Sequence, residues 1–88
     1  MGNAVKLGDS DTGHGSDPPT PVTAGSSTVK VDGLPLARQG DPLAPHGHSR
    51  IISGGSSSVF IDGKPAARTG DTVSCGGVII GGGSVAIG

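Results

Sequence analysis

Residues 61–71 read "IDGKPAARTGD", and thirty positions earlier residues 31–41 read "VDGLPLARQGD". This recurrence decides the fold. At an offset of 30, residues 26–43 and 56–73 share two Ser, Val, Asp, Gly, Pro, Ala, Arg, Gly and Asp, which low-complexity coincidence does not produce. A unit this short cannot bury its apolar face alone, so two copies call for a third. The third is split between the chain ends. "NAVKLGD" (3–9) aligns with "PAARTGD" (65–71), setting Ala4 opposite Ala66 and Lys6 opposite Arg68, while "SVAIG" (84–88) aligns with "SVFID" (58–62). We expect a single domain over 1–88 with three units, 8–31, 40–61 and 70–87. Each runs from Gly-Asp through a loop and a Gly/Ser-rich turn into a short strand.

The strands read "VKV", "VFI" and "VAI". Val29, Val31, Val59, Ile61, Val85 and Ile87 alternate with Lys30, Phe60 and Ala86, the period-two pattern of half-buried strands. Residues 78–80 read as a further short strand. Asp32-Gly33 and Asp62-Gly63 are tight-turn signals, and Pro35 and Pro65 keep the returning segments out of a sheet centre. The expected class is all-β, built of short strands and tight turns. Asp9, Asp41 and Asp71 are expected to cap the loops that follow them, and Lys6, Arg38 and Arg68 to pair with nearby Asp.

Composition bounds the rest. Gly 18 and Pro 7 make 25 of 88 residues, a share at which chains without periodicity tend to be disordered, so the repeat is what argues for a fold. One Cys excludes an internal disulfide, and so small a core with a single aromatic calls for a metal or a partner. A net charge of −1 with six scattered basic residues argues against nucleic-acid binding. There is no apolar run long enough to span a bilayer and no signal-peptide pattern, so synthesis and folding in the cytoplasm are expected.

His14 and His46 each lie five residues beyond the Asp of their Gly-Asp pair, and Cys75 four beyond Asp71; His48 adds a fourth donor. Three His and one Cys suit a closed tetrahedral zinc site, with iron as the alternative. A blue-copper site would want an axial Met, and the only Met is the first residue. A catalytic Cys–His pair needs an open pocket that this chain has little room for. The Gly-rich runs lack the Gly-Lys-Ser/Thr of a phosphate loop.

"PAAR" (65–68) between "DGK" and "TGD", with its near copy "PLAR" (35–38), resembles the signature of the PAAR-repeat proteins. Leu36, Asn3 and Lys6 depart from it. The resemblance implies a small cone with pseudo-threefold symmetry and a zinc near the vertex held by His14, His46, His48 and Cys75. It implies a base seated on a trimeric valine-glycine-repeat spike of a type VI secretion system, or on a phage spike. The expected function is a structural spike tip for membrane puncture and effector delivery, not an enzyme, exported on firing and in transient contact with the target membrane. Threefold matching predicts one copy per spike trimer, a monomer when alone, and contact through Val29, Val59, Val85 and Gly88. The alternatives are an adaptor that attaches separate effector proteins, for which this chain has no domain of its own, and a small metalloenzyme.

Overall fold

A computed structural model describes residues 2–13, 18–45, 50–74 and 76–88. In chain order the strands are β1 (Gly2–Asn3), β2 (Lys30–Val31), β3 (Leu34–Pro35), β4 (Pro42–Leu43), β5 (Arg50–Ile51), β6 (Phe60–Ile61), β7 (Lys64–Pro65) and β8 (Ala86–Ile87). No helix occurs among the described residues. Asp32 and Asp62 take φ of 54° and 55°, followed by Gly33 at 81° and Gly63 at 80°. Two successive left-handed residues are what a two-residue type I′ hairpin requires. These turns fold β2 onto β3 and β6 onto β7, with Lys30 opposite Pro35 and Phe60 opposite Pro65. The third hairpin is made from the two chain ends, with Gly2 opposite Ile87 and Asn3 opposite Ala86.

The segments following the three hairpins meet on one axis. Ala37 N–H donates to the Val5 carbonyl (2.8 Å), Val5 N–H to Ala67 (3.4 Å) and Ala67 N–H to Ala37 (3.0 Å), closing a triangle of backbone hydrogen bonds. All three residues are fully buried. Other bonds repeat around the same axis: Leu7, Gln39 and Thr69 N–H donate to the carbonyls of Pro35, Pro65 and Asn3, and Thr23, Ser53 and Ile80 N–H to those of Pro42, Thr72 and Ser10. The body measures 32 × 22 × 21 Å, and its two nearly equal short dimensions are those of a threefold object about a long axis.

Beyond the triangle, turns of one kind reverse each chain. Asp9, Asp41 and Asp71 N–H donate to the carbonyls of Lys6, Arg38 and Arg68, each at 3.0 Å. The third residue of each turn is Gly8, Gly40 or Gly70, with φ of 91°, 95° and 96°, the positive φ that glycine supplies without strain. Here the structure corrects the sequence reading. The Asp carboxylates do not cap the following loop; they accept the backbone N–H of Lys6, Arg38 and Arg68 at 2.7–2.9 Å and so staple the turn that precedes them. The basic side chains pair with the same carboxylates at 2.9–3.0 Å, as expected.

The apolar residues divide into two clusters on either side of the triangle. One holds Ala4, Val31, Leu36, Ala66 and Ile87, with Val29, Val59 and Ile61 packed against it, beneath the hairpins. The other holds Val5, Ala37 and Ala67 with Val22, Leu43, Ile52, Val73 and Ile79. Around this second cluster, antiparallel pairings run from Ser10 to Pro21, Val22 to Leu43, β4 to β5, Ile52 to Val73, Thr72 to Val78 and Ile79 back to Asp11. The ring is closed, so it exposes no open sheet edge.

Close approach of three backbones leaves no volume for larger side chains on the axis. Ala67→Leu is expected to lower stability by about 1–3 kcal/mol, the usual cost of overpacking, or roughly 5–20 °C in thermal midpoint for a domain of this size. Gln39→Ala, at an exposed position two residues beyond Ala37, should leave the midpoint nearly unchanged; thermal melts of both variants check the contrast.

Candidate functional site

Three segments leave and re-enter the closed ring at one end of the molecule. Between their described ends lie residues 14–17, 46–49 and 75, so the predicted ligands His14, His46, His48 and Cys75 fall outside the described residues. Among the described residues no group of His, Cys, Asp or Glu could hold a metal. The roots of the three segments are joined to one another. Thr12 N–H donates to the Val78 carbonyl at 2.9 Å, Ser74 N–H to Ile51 at 2.9 Å, and Ala44 N–H to Pro21 at 2.8 Å. At Gly77 a Cβ would lie 2.6 Å from the Gly13 carbonyl oxygen, so the first and third roots are in direct backbone contact. One donor-bearing segment from each unit thus springs from a common ring, and an N₃S donor set distributed over the three suits a single closed tetrahedral ion.

At the same end lies a feature that the sequence reading missed. Arg50, the largest fully buried side chain, forms an ion pair with the equally buried Asp11. Its guanidinium donates to both Asp11 carboxylate oxygens and to the Thr20 hydroxyl. Asp11 also accepts the Thr20 backbone N–H at 2.9 Å. The signal was present in the alignment, since Asp11 falls where the other units have Leu43 and Val73, but a single polar departure 39 residues from its partner does not announce a pair.

The opposite end is formed by the hairpins, each of which clasps its neighbour. The Asp62 carboxylate accepts from Ser26 Oγ (2.5 Å), Thr28 Oγ1 (2.6 Å) and an Arg38 guanidinium nitrogen (3.0 Å). Asp32 accepts from Ser84 N–H (2.9 Å) and Oγ (2.6 Å). In the third place a Gly88 oxygen accepts from Ser56 Oγ (2.5 Å) and Arg68 (3.1 Å). Gly88 thereby does for Ser56 and Arg68 what Asp62 does for Ser26 and Arg38, in the register that sets "SVAIG" against "SVFID". Of the expected partner-facing residues, Val29 and Val59 are half-buried against the hairpin-end cluster, while Val85 is 49% exposed and Gly88 is exposed. Val85 departs from the half-buried pattern of its equivalents. Its strand follows Gly83, whereas Ser26 and Ser56 anchor the other two by accepting the Val29 and Val59 N–H groups at 2.9 Å. Phe60 and Leu34, 55% and 38% exposed, are the other large apolar residues of the hairpins open to solvent.

A chain that closes three copies of one β-unit about its own axis, with hairpins at one end and loops at the other, defines a repeat-built β-body with internal threefold symmetry. The PAAR motif family matches residues 12–81 of the 88, and the chain belongs to that family. The motif is associated with spike-tip proteins of type VI secretion systems and implies association with a valine-glycine-repeat spike. No match was found among curated proteins.

The hairpin clasps give a pH dependence of definite sign. The Ser26 and Thr28 hydroxyls, with Arg38 adding to them, hold the Asp62 carboxyl below its ordinary value. Hydrogen bonds from Ser84 do the same for Asp32. At Asp9, burial works in the opposite direction and is outweighed by hydrogen bonds from Gly82 and Lys6. A depressed folded-state value contributes stability above the unfolded value, near 3.8, which is lost as pH falls below it. Thermal midpoints of the metal-free protein, measured from neutral pH downwards, should therefore hold steady and then decline as the pH passes below about 4. An Asp32→Asn, Asp62→Asn double variant should be less stable at neutral pH and show a shallower acid decline.

Proposed function

We propose that the protein is the structural tip of an injection spike, seated by its hairpin end on a trimeric spike protein and carrying one structural metal ion at its loop end. The observation that carries this reading is the cyclic backbone triangle of Val5, Ala37 and Ala67 with the bonds repeated around it. A monomer with internal threefold symmetry can present one hairpin to each chain of a trimer, whereas an asymmetric domain could match only one. Membership of the PAAR motif family supports the same partner. The hairpin end offers exposed apolar groups at Leu34, Phe60 and Val85 and short strand edges that could extend the strands of a β-helical spike. Tapering a blunt trimer to a single metal-pinned end suits puncture of a membrane.

Zinc is the metal the donor set favours, held by His14, His46, His48 and Cys75. When bound it supplies a crosslink among three loops at an end where the apolar cluster has stopped, and four protein donors leave it no open position for catalysis. The chain's own contribution is to bring neutral imidazoles and a thiolate to one place. Metal binding to the native state adds directly to stability, by about 4 kcal/mol when the ion exceeds its Kd a thousandfold.

Light scattering of the mixed complex tests the seat, with one copy per spike trimer and a monomer in isolation expected. Three copies per trimer, or self-association without the spike, would remove the symmetry argument. Elemental analysis tests the metal, with one zinc per chain expected and lost in Cys75→Ser together with a marked fall in thermal midpoint. Because the ligands must be deprotonated, zinc should be held less tightly as the solution is acidified and be released at low pH.

A further inference from the structure

Asp11, Leu43 and Val73 are equivalent, each standing two residues beyond the Asp of a Gly-Asp pair, and all three are buried, at 3% exposure each. Thr20, Arg50 and Gly77 are likewise equivalent, each two residues before a core Val22, Ile52 or Ile79. Each of these two positions is uncharged in two of the three units, and the third unit, with Val73 and Gly77, carries no charge at either. A carboxylate and a guanidinium are nonetheless fully buried there, with side chains 0% exposed. Burying such a pair costs desolvation that its mutual attraction only roughly offsets, and well-packed apolar replacements are often as stable or more so. Stability alone does not account for its presence.

What the pair does have is position and direction. Asp11 is three residues before His14, Thr20 six after it, and Arg50 two after His48. One planar guanidinium therefore joins both roots of the first loop to the end of the second through a fork of fixed geometry. These two loops carry every histidine of the chain. The third loop, which carries Cys75, is tied to its neighbour by uncharged bonds, among them Ile51 N–H to Ser74 Oγ at 3.2 Å.

We infer that Arg50, with Asp11 and Thr20, is a positioning group that holds the two histidine-bearing loops in mutual register before any metal arrives. The inference rests on the zinc reading above, and it makes the pair a determinant of metal retention more than of folding. The metal-free protein should keep its fold, since the register of its loop roots is set by the ion pair rather than by the ion.

The test uses Asp11→Leu, Arg50→Met, which leaves the layer without charge, as it already is in the third unit. The metal-free double variant should melt within a few degrees of the unaltered protein. Its zinc should pass to a chromophoric chelator about 10- to 100-fold faster, the range for groups that orient metal ligands, and its Co(II) form should show altered ligand-field bands. Thr20→Val, which removes one hydroxyl from the guanidinium's partners, should speed release several-fold and serves as the readout if the double variant does not fold. Unchanged release and an unchanged Co(II) spectrum in a folded variant would overturn the inference and leave the zinc reading intact. An unaltered protein that takes up no zinc would overturn the zinc reading and this inference with it.

Discussion

Three backbones hydrogen-bonded in a triangle around one axis are the constraint on which the rest of this structure depends. Each of Val5, Ala37 and Ala67 gives its N–H to one neighbour and its carbonyl to the other, so no two units can be in place without defining where the third must go. Close approach dictates small side chains on the axis and divides the apolar residues into a hairpin-end and a loop-end cluster. With no aromatic side chain in either, neither cluster is large. Buried backbone groups must be paired, and here the pairing partners come from the other two units, so much of the cohesion lies in a cyclic network rather than in a thick core.

The same closure accounts for the two unlike ends of the molecule. The hairpins protrude from one side of the triangle, and each is clasped by the next through a carboxylate or a Gly88 oxygen. This leaves short strands and exposed Leu34, Phe60 and Val85 facing outwards. On the other side the six-segment ring closes, and the three loops emerge from roots already bonded to one another. Symmetry is broken in two places. The buried Arg50–Asp11 pair sits only between the first two units, and Gly88 replaces an aspartate where the third unit is assembled from the chain ends.

What was legible in the sequence was local or repeated. Asp-Gly before Pro announces a hairpin because the left-handed turn and the edge position of the proline are decided within five residues. The split third copy was legible because Gly-Asp and the strand recur in phase, and the bonds of Gly88 agree with that register. The direction of the Asp9, Asp41 and Asp71 side chains was not, since the N–H groups before and after an aspartate are equally near in sequence. Nor was the role of residues 81–83. They read as a turn, yet a Cβ at Gly83 would sit 2.6 Å from the Ala4 carbonyl oxygen, a close approach that only the folded third unit creates. The Arg50–Asp11 pair stayed hidden for the same reason, being a contact between units. Of the four expected metal donors, His14, His46 and Cys75 were singled out by their phase in the repeat and His48 by its nearness to His46, and all four lie outside the described residues.

The central claim is that the axial triangle is one cooperative element, and amide hydrogen exchange tests it most directly. The Val5, Ala37 and Ala67 amides should be among the slowest in the protein and share one opening free energy equal to that of global unfolding, because none can open while the other two remain bonded. If one of the three exchanged through a separate, lower-energy opening while the other two stayed protected, the units would be independent and the triangle would not be what holds them together.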